Sequence, residues 1–419
     1  MSSPPAPKSK PERLTQAELD IICARHDRLW AARPGGARAV LAWRDLSCLN
    51  LAGRNLADAD CTGAIFASCN MTGVRLDQAN LFGADLQNAD LTGASLRRAD
   101  MRGVCLRGAD LSGADMFEAD LREGVIAAVD KQTGLRMIEH RNRAGQVDGA
   151  ILAGANLERS RLSGVTAMKA DFTDATLKDA KLVRANFKQA TLVGANLAGA
   201  DLSGADLSGA DLKNAILVGA KTLQWNVSAA NMEGVLTDKP AGVAVDDLPY
   251  GEMLADHARW CESGGVEGRP SIFDGADLRA LASIRGYNLT ALSAKGAVFY
   301  GLDMEGVQLQ GAHLENADLR GCNLRRADLR GARLVGAKLA GADLREAQMG
   351  PLLITAERLM PCNLAGANLK AADCSGADMR QAILTDADLS RANFIGAQMR
   401  HADLTRAQRT GVRGLDGLI

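Results

Sequence analysis

Aromatic residues make up only 4% of this 419-residue chain, although 47% of it is apolar. Large rings normally supply much of the packed volume of a globular core, so smaller side chains must fill a narrower interior here. No run of about 18 apolar residues is present, which excludes a membrane-spanning helix, and Met1 to Pro11 does not resemble a signal peptide. The expected location is cytoplasmic. Neither sign of charge dominates, with 49 Lys and Arg against 50 Asp and Glu. The whole chain is therefore neither a basic nucleic-acid binder nor an acidic decoy, and no direct nucleic-acid contact is expected. The nine cysteines are odd in number and form no CxxC pair; they read as reduced core residues, not as disulfides or a zinc site.

What the chain does have is a period of five. From Ala79 it runs ANLFG ADLQN ADLTG ASLRR ADMRG, and from Ala195 ANLAG ADLSG ADLSG ADLKN. The large apolar residue at the centre of each unit recurs from Leu46 to Leu121, from Leu152 to Met232 and from Ile284 to Arg409, usually with Ala two residues earlier. Neither a helix nor a strand keeps every fifth residue on one side. A corner every five residues does: if each unit makes one side of a square, four units close a coil of 20 residues, and coils stack at about 4.8 Å. Centres point inward, Ala tucks in beside them, and Gly, Ser or Asn suits the corner.

These residues resemble the pentapeptide repeat family, whose motif is A(D/N)LXX. The resemblance covers most of the chain and implies an all-β solenoid, the right-handed quadrilateral β-helix.

Interruptions divide the solenoid. Residues 1–12 are polar and Pro-rich and are expected to be a disordered tail. Thr15 and Glu18 form a capping box that opens a helix within 13–37, with Leu19, Ile22, Cys23, His26, Leu29 and Trp30 on one face to cover the open end of the first coil. The β-helix is expected over 38–124 and again over 150–237, with a β-hairpin inserted at 125–149. Residues 238–270 read as a linker and a second capping helix, followed by a second β-helix over 271–419. The order His26, Trp30, Gly35, Gly36 returns as His257, Trp260, Gly264, Gly265, an internal duplication that predicts two shafts. Gly350 to Pro361 keeps the five-residue count without the motif and predicts a bulge. Leu415, Leu418 and Ile419 offer a plug for the last coil or a homodimer contact through the C-terminal end.

No constellation points to catalysis, a cofactor or a metal, and the chain reads as a non-enzyme. His26 and His257, beside Trp, read as packing residues. The residue before each centre faces outward, so Asp60, Asn80, Asp100 and Asp120 predict one column, and Asn70, Asp90 and Asp110 another. The candidate interaction surface is Asp90, Asp100, Asp110 and Asp120 with Arg97 and Arg102, joined by Lys131 and Arg136 of the hairpin. Certain members of the family mimic duplex DNA to inhibit or protect DNA gyrase, so gyrase is one implied partner. Against it, residues 51–124 carry 11 acids and seven bases, whereas 150–200 carry seven bases and four acids. The leading expectation is a structural or protein-interaction scaffold for an unidentified protein. The alternatives are a DNA-mimic regulator of gyrase and a bacterial effector exported through its tail.

Overall fold

A computed structural model describes residues 11–124, 145–355 and 357–415, and the backbone of 127–130 and 134–137. The expected tail through residue 10, and Leu418 and Ile419, lie outside the described residues. The chain divides into two compact units, the first running to Lys239 and the second starting at Pro240.

In the first unit, parallel bridges join each outward residue to the one 20 positions on, as in Val40, Asp60, Asn80, Asp100 and Asp120. Four units therefore close one coil. Between coils, Leu41 N–H donates to Asp60 O at 2.7 Å and Asp60 N–H to Ala39 O at 3.0 Å, and this pattern repeats along the shaft. At each corner the residue two after the centre takes a positive φ, +66° at Gly53 and +59° at Asp58. The centres and their Ala neighbours, Leu86 and Ala84 for example, are fully buried. That is the jigsaw packing a narrow interior demands, and it leaves little room for rings.

The coil starts one unit earlier than the motif suggests, with Leu41 as a buried centre. Glu12 and Arg13, assigned from sequence to the tail and the cap, already pair with Asp45. Helix α1 (Gln16–Trp30) buries Leu19, Cys23 and His26, whereas Leu29 and Trp30 at its end stay about half exposed. Gln16 exchanges hydrogen bonds with the Asn50 backbone, and Asp20 bonds Arg54 at 2.7 Å, fastening the helix to the first coils. In the last coil, Trp225 takes the slot that Ala fills elsewhere and packs partly buried against the core.

Between Leu121 and Gly145 the ladder takes a longer step: Cys105 pairs with Gln146 and Asp120 with Arg161, 41 residues apart instead of 20. Twenty-one residues are surplus. Within them β1 (Ala127–Asp130) and β2 (Gly134–Met137) pair antiparallel. The shaft resumes at Gln146 with Val147 as a buried centre, ahead of the expected position 150.

The second unit opens with β3 (Val243–Ala244), which pairs in parallel with β4 (Ala276–Asp277) across helix α2 (Tyr250–Glu262). Its ladder steps by 21 at Ile272–Ser293 and Asp277–Val298, then by 20 from Ser283 until Arg333 pairs with Asn363, 30 residues on. The extra ten residues form a ribbon, β5 (Leu352–Thr355) and β6 (Arg358–Met360). These ten residues keep the five-residue count but make no side of the coil. Ile354 and Leu359 are not centres but stand about half exposed, and Asp343 pairs with Asp373, not with Asn363. The ribbon rests on the shaft through Leu352 and Met360, which cover Gly311 and Gly331; a side chain at Gly331 would collide with both.

Candidate interaction surface

The outward Asp or Asn before each centre does a local job that its position alone does not show. Its Oδ1 accepts the backbone N–H two residues on: from Thr92 to Asp90 at 3.0 Å, Ser112 to Asp110 at 2.9 Å and Thr173 to Asp171 at 2.8 Å. This is an Asx turn, and it closes the corner that the following positive φ completes. A Ser or Thr at the same position adds its hydroxyl, Ser112 Oγ reaching Asp110 at 2.5 Å.

Where that position is Arg, the guanidinium forks the carboxylate instead. Arg102 reaches Asp100 at 2.8 and 2.6 Å, and Arg122 reaches Asp120 at 2.9 and 2.7 Å. In the second unit the fork recurs at Asp318–Arg320, Asp328–Arg330 and Asp378–Arg380. Stacked carboxylates such as Asp100 and Asp120 are thereby neutralised within their own units, which removes the repulsion that like charges at strand spacing would suffer.

One side of the first shaft has a richer arrangement. Arg97 bonds Asp115 at 2.6 Å and lies over the Phe117 ring at 4.7 Å, with Arg159 on the same ring at 5.7 Å. Glu118 is shared between Arg98 at 2.8 Å and Arg159 at 3.0 Å. Arg98, Glu118, Arg159 and Arg161 with the two forks line an open groove of about 580 Å³ over Asp100 and Asp120.

The pentapeptide repeat model matches this chain in eight copies, at residues 45–83, 79–116, 148–182, 180–219, 282–321, 308–349, 362–397 and 372–408, more than half its length. The chain belongs to the pentapeptide repeat family. Similar solved structures include the pentapeptide repeat protein HetL of the cyanobacterium Nostoc, involved in heterocyst differentiation regulation. It is 24% identical over 94% of this chain and 96% of its own, with a TM-score of 0.16. QnrB1, a plasmid-mediated fluoroquinolone resistance protein, is 17% identical over 55% of this chain and 90% of its own, with a TM-score of 0.19. A protein of the Arabidopsis thaliana thylakoid lumen is 26% identical over 31% of this chain and 66% of its own, with a TM-score of 0.15. A search of the curated proteins finds no match.

On this pentapeptide coil the acidic candidates do not share one surface. Asp100 and Asp120 stand in one ladder, while Asp90 and Asp110 stand in another, two sides round the coil and so opposite. Arg97 and Arg102 flank the Asp100 ladder at its two corners. Arg136 lies in β2, and Lys131 lies outside the described residues. The hydrogen bonds from Thr92 hold Asp90 below the ordinary carboxylate range. Burial alone would raise Asp120, but the hydrogen bonds from Arg122 outweigh it and hold its carboxyl low.

The helix residues pair as a duplicated design. Thr15 and Glu18 complete a reciprocal capping box. His26 Nδ1 accepts the Ala39 N–H at 3.0 Å, which puts the ring proton on Nε2, 3.0 Å from Ala57 O, with Trp30 packed edge-on. His257 Nδ1 accepts the Ser271 N–H at 2.8 Å beside Trp260. Among the described residues no group of His, Cys, Asp or Glu is arranged to hold a metal, and no helix is long and apolar enough to cross a membrane.

Proposed function

We propose that this pentapeptide repeat protein is a non-enzymatic scaffold whose inserted ribbons carry its specific contacts with a protein partner. The observation that supports this is the 41-residue step: the ladder resumes on the same faces from Gln146, so the 21 surplus residues 124–144 add no step to the ladder. Such segments on a rigid repeat are where recognition concentrates. The acidic column argues less for recognition, because its carboxylates serve the corners.

Excising residues 124–144 restores a 20-residue step. The excised protein is expected to keep its thermal midpoint and its far-UV spectrum and to lose the partner that the full chain retains in affinity capture. Retention of the same partner would overturn this role for the ribbon, and turnover abolished by one polar substitution would overturn the scaffold.

A DNA-mimic acting on gyrase has one feature in its favour, the ladder of Asn70, Asp90, Asp110, Ile151 and Asp171, which carries no base. Inhibition of supercoiling at stoichiometric protein would support it, and no effect at high concentration removes it.

A further inference from the structure

We propose that the groove over Asp100 and Asp120 is a binding site for a doubly charged oxyanion, a phosphate group. This goes beyond the scaffold reading and does not depend on it.

The first support is a charge count in one groove. Five guanidiniums line the groove, those of Arg98, Arg102, Arg122, Arg159 and Arg161, against three carboxylates. Both Glu118 and Asp120 are held low in pKa, Glu118 by its bond from Arg98 and Asp120 by Arg122 against burial, so these two remain ionised near neutrality. Two positive charges are left over. Glu123 and Glu158 lie outside the lining, and the next coil adds Lys178 and Lys181 with Asp179 between them.

The second support is how the carboxylates are shared. Glu118 gives one oxygen to Arg98 and the other to Arg159. Asp120 is already forked by Arg122, so Arg161 approaches it only to 3.8 Å. Arg161 in turn stacks directly on Lys181, a base on a base at ladder spacing, an arrangement that an intervening anion stabilises. At Arg102 and Arg122 the arginine has its own acid two residues back. Arg159 and Arg161 have none there, and each side chain is 58% exposed. Planar guanidiniums gathered along one groove are the chemistry that recognises phosphate oxygens.

The third support is position. Arg98, Arg102 and Arg122 precede the 21-residue insertion and Arg159 and Arg161 follow it, so the site exists only once the ladder has closed across it. The inserted segment leaves the shaft two residues after Arg122.

The test uses the full chain in chloride buffer, with inorganic phosphate titrated by calorimetry and by thermal shift. The expected result is saturable binding that weakens about tenfold or more in the Arg159→Gln/Arg161→Gln double variant. It should persist in Arg345→Gln, which lies in the second unit. Glu118→Gln, which adds to the surplus, should tighten it. A phosphoserine peptide that binds more tightly than free phosphate would assign the group to a modified protein, and equal affinity would assign it to the free ion. No saturable binding up to about 10 mM phosphate, or equal binding by the double variant, would overturn the proposal.

Discussion

Arg320 forks Asp318, Nε to Oδ1 at 2.8 Å and Nη2 to Oδ2 at 2.5 Å, with both side chains less than a tenth exposed. The same fork between Arg345 and Asp343 leaves the arginine 44% exposed. Removing one partner from a buried pair strands the other charge, whereas an exposed pair is solvated either way. Arg320→Ala is therefore expected to cost about 3 kcal/mol in urea unfolding of the second unit, with Arg345→Ala close to wild type. Equal midpoints for the two variants would contradict this.

Ala205 is fully buried beside Leu207, and Asp206 accepts the Ser208 N–H at 3.0 Å. Ala205→Phe is expected to overpack the coil by about 1–3 kcal/mol. Asp206→Asn keeps the acceptor and should cost little. Asp206→Ala leaves the corner uncapped and should cost about 1 kcal/mol. A melting series in which Asn and Ala behave alike would show that the Asx turn contributes nothing.

Much of this was legible in the sequence. Leu centres and Ala slots follow from the period, because only a chain that turns a corner every five residues keeps every fifth residue inside, and the resemblance to the pentapeptide repeat family implies the square coil of 20. The work of Asp90 or Asp110 was not read, since periodicity shows which residue faces out but not what its side chain bonds. The signal was present all the same: Ser, Thr or Arg two residues after the Asp is turn and fork chemistry. The ribbon at Leu352–Met360 escaped for a different reason. Ten residues is a multiple of five, so Ile354 and Leu359 fall in phase as though they were centres, whereas a surplus of 21 breaks the phase and shows itself.

Burial lowers the pKa of His257 from its usual 6.5, so the unfolded chain takes a proton there more readily than the folded one. Stability from this residue is complete above about pH 6.5 and declines as pH falls toward the lowered folded value. The carboxylates shift the other way. Those of Asp90, Asp120 and Asp378 sit below the ordinary range, and their contribution is lost only below about pH 4. Melting of the wild type should weaken between pH 7.5 and 5.5, and His257→Gln should flatten that slope. An unchanged slope in the variant would remove His257 as its source.

Cys69 is buried and its thiol is pushed up to about 11 by that burial, Cys322 and Cys362 to about 12. Cys48 stands exposed at a corner. A thiol reagent at neutral pH should label Cys48 in the folded protein and leave Cys69, Cys322 and Cys362 untouched until urea unfolds the coils. Rapid native labelling of Cys322 would show that the second unit opens.

The 41-residue step also bears on what happens if the backbone is cut. A protease nick inside the segment 124–144 severs the covalent chain but no ladder bond, because Cys105 still meets Gln146 and Asp120 still meets Arg161 on adjacent coils. The two fragments would stay zipped along a shared core. Co-expressed as separate halves, they would reassemble a split version of the same shaft, with free chain ends at the mouth of the arginine groove.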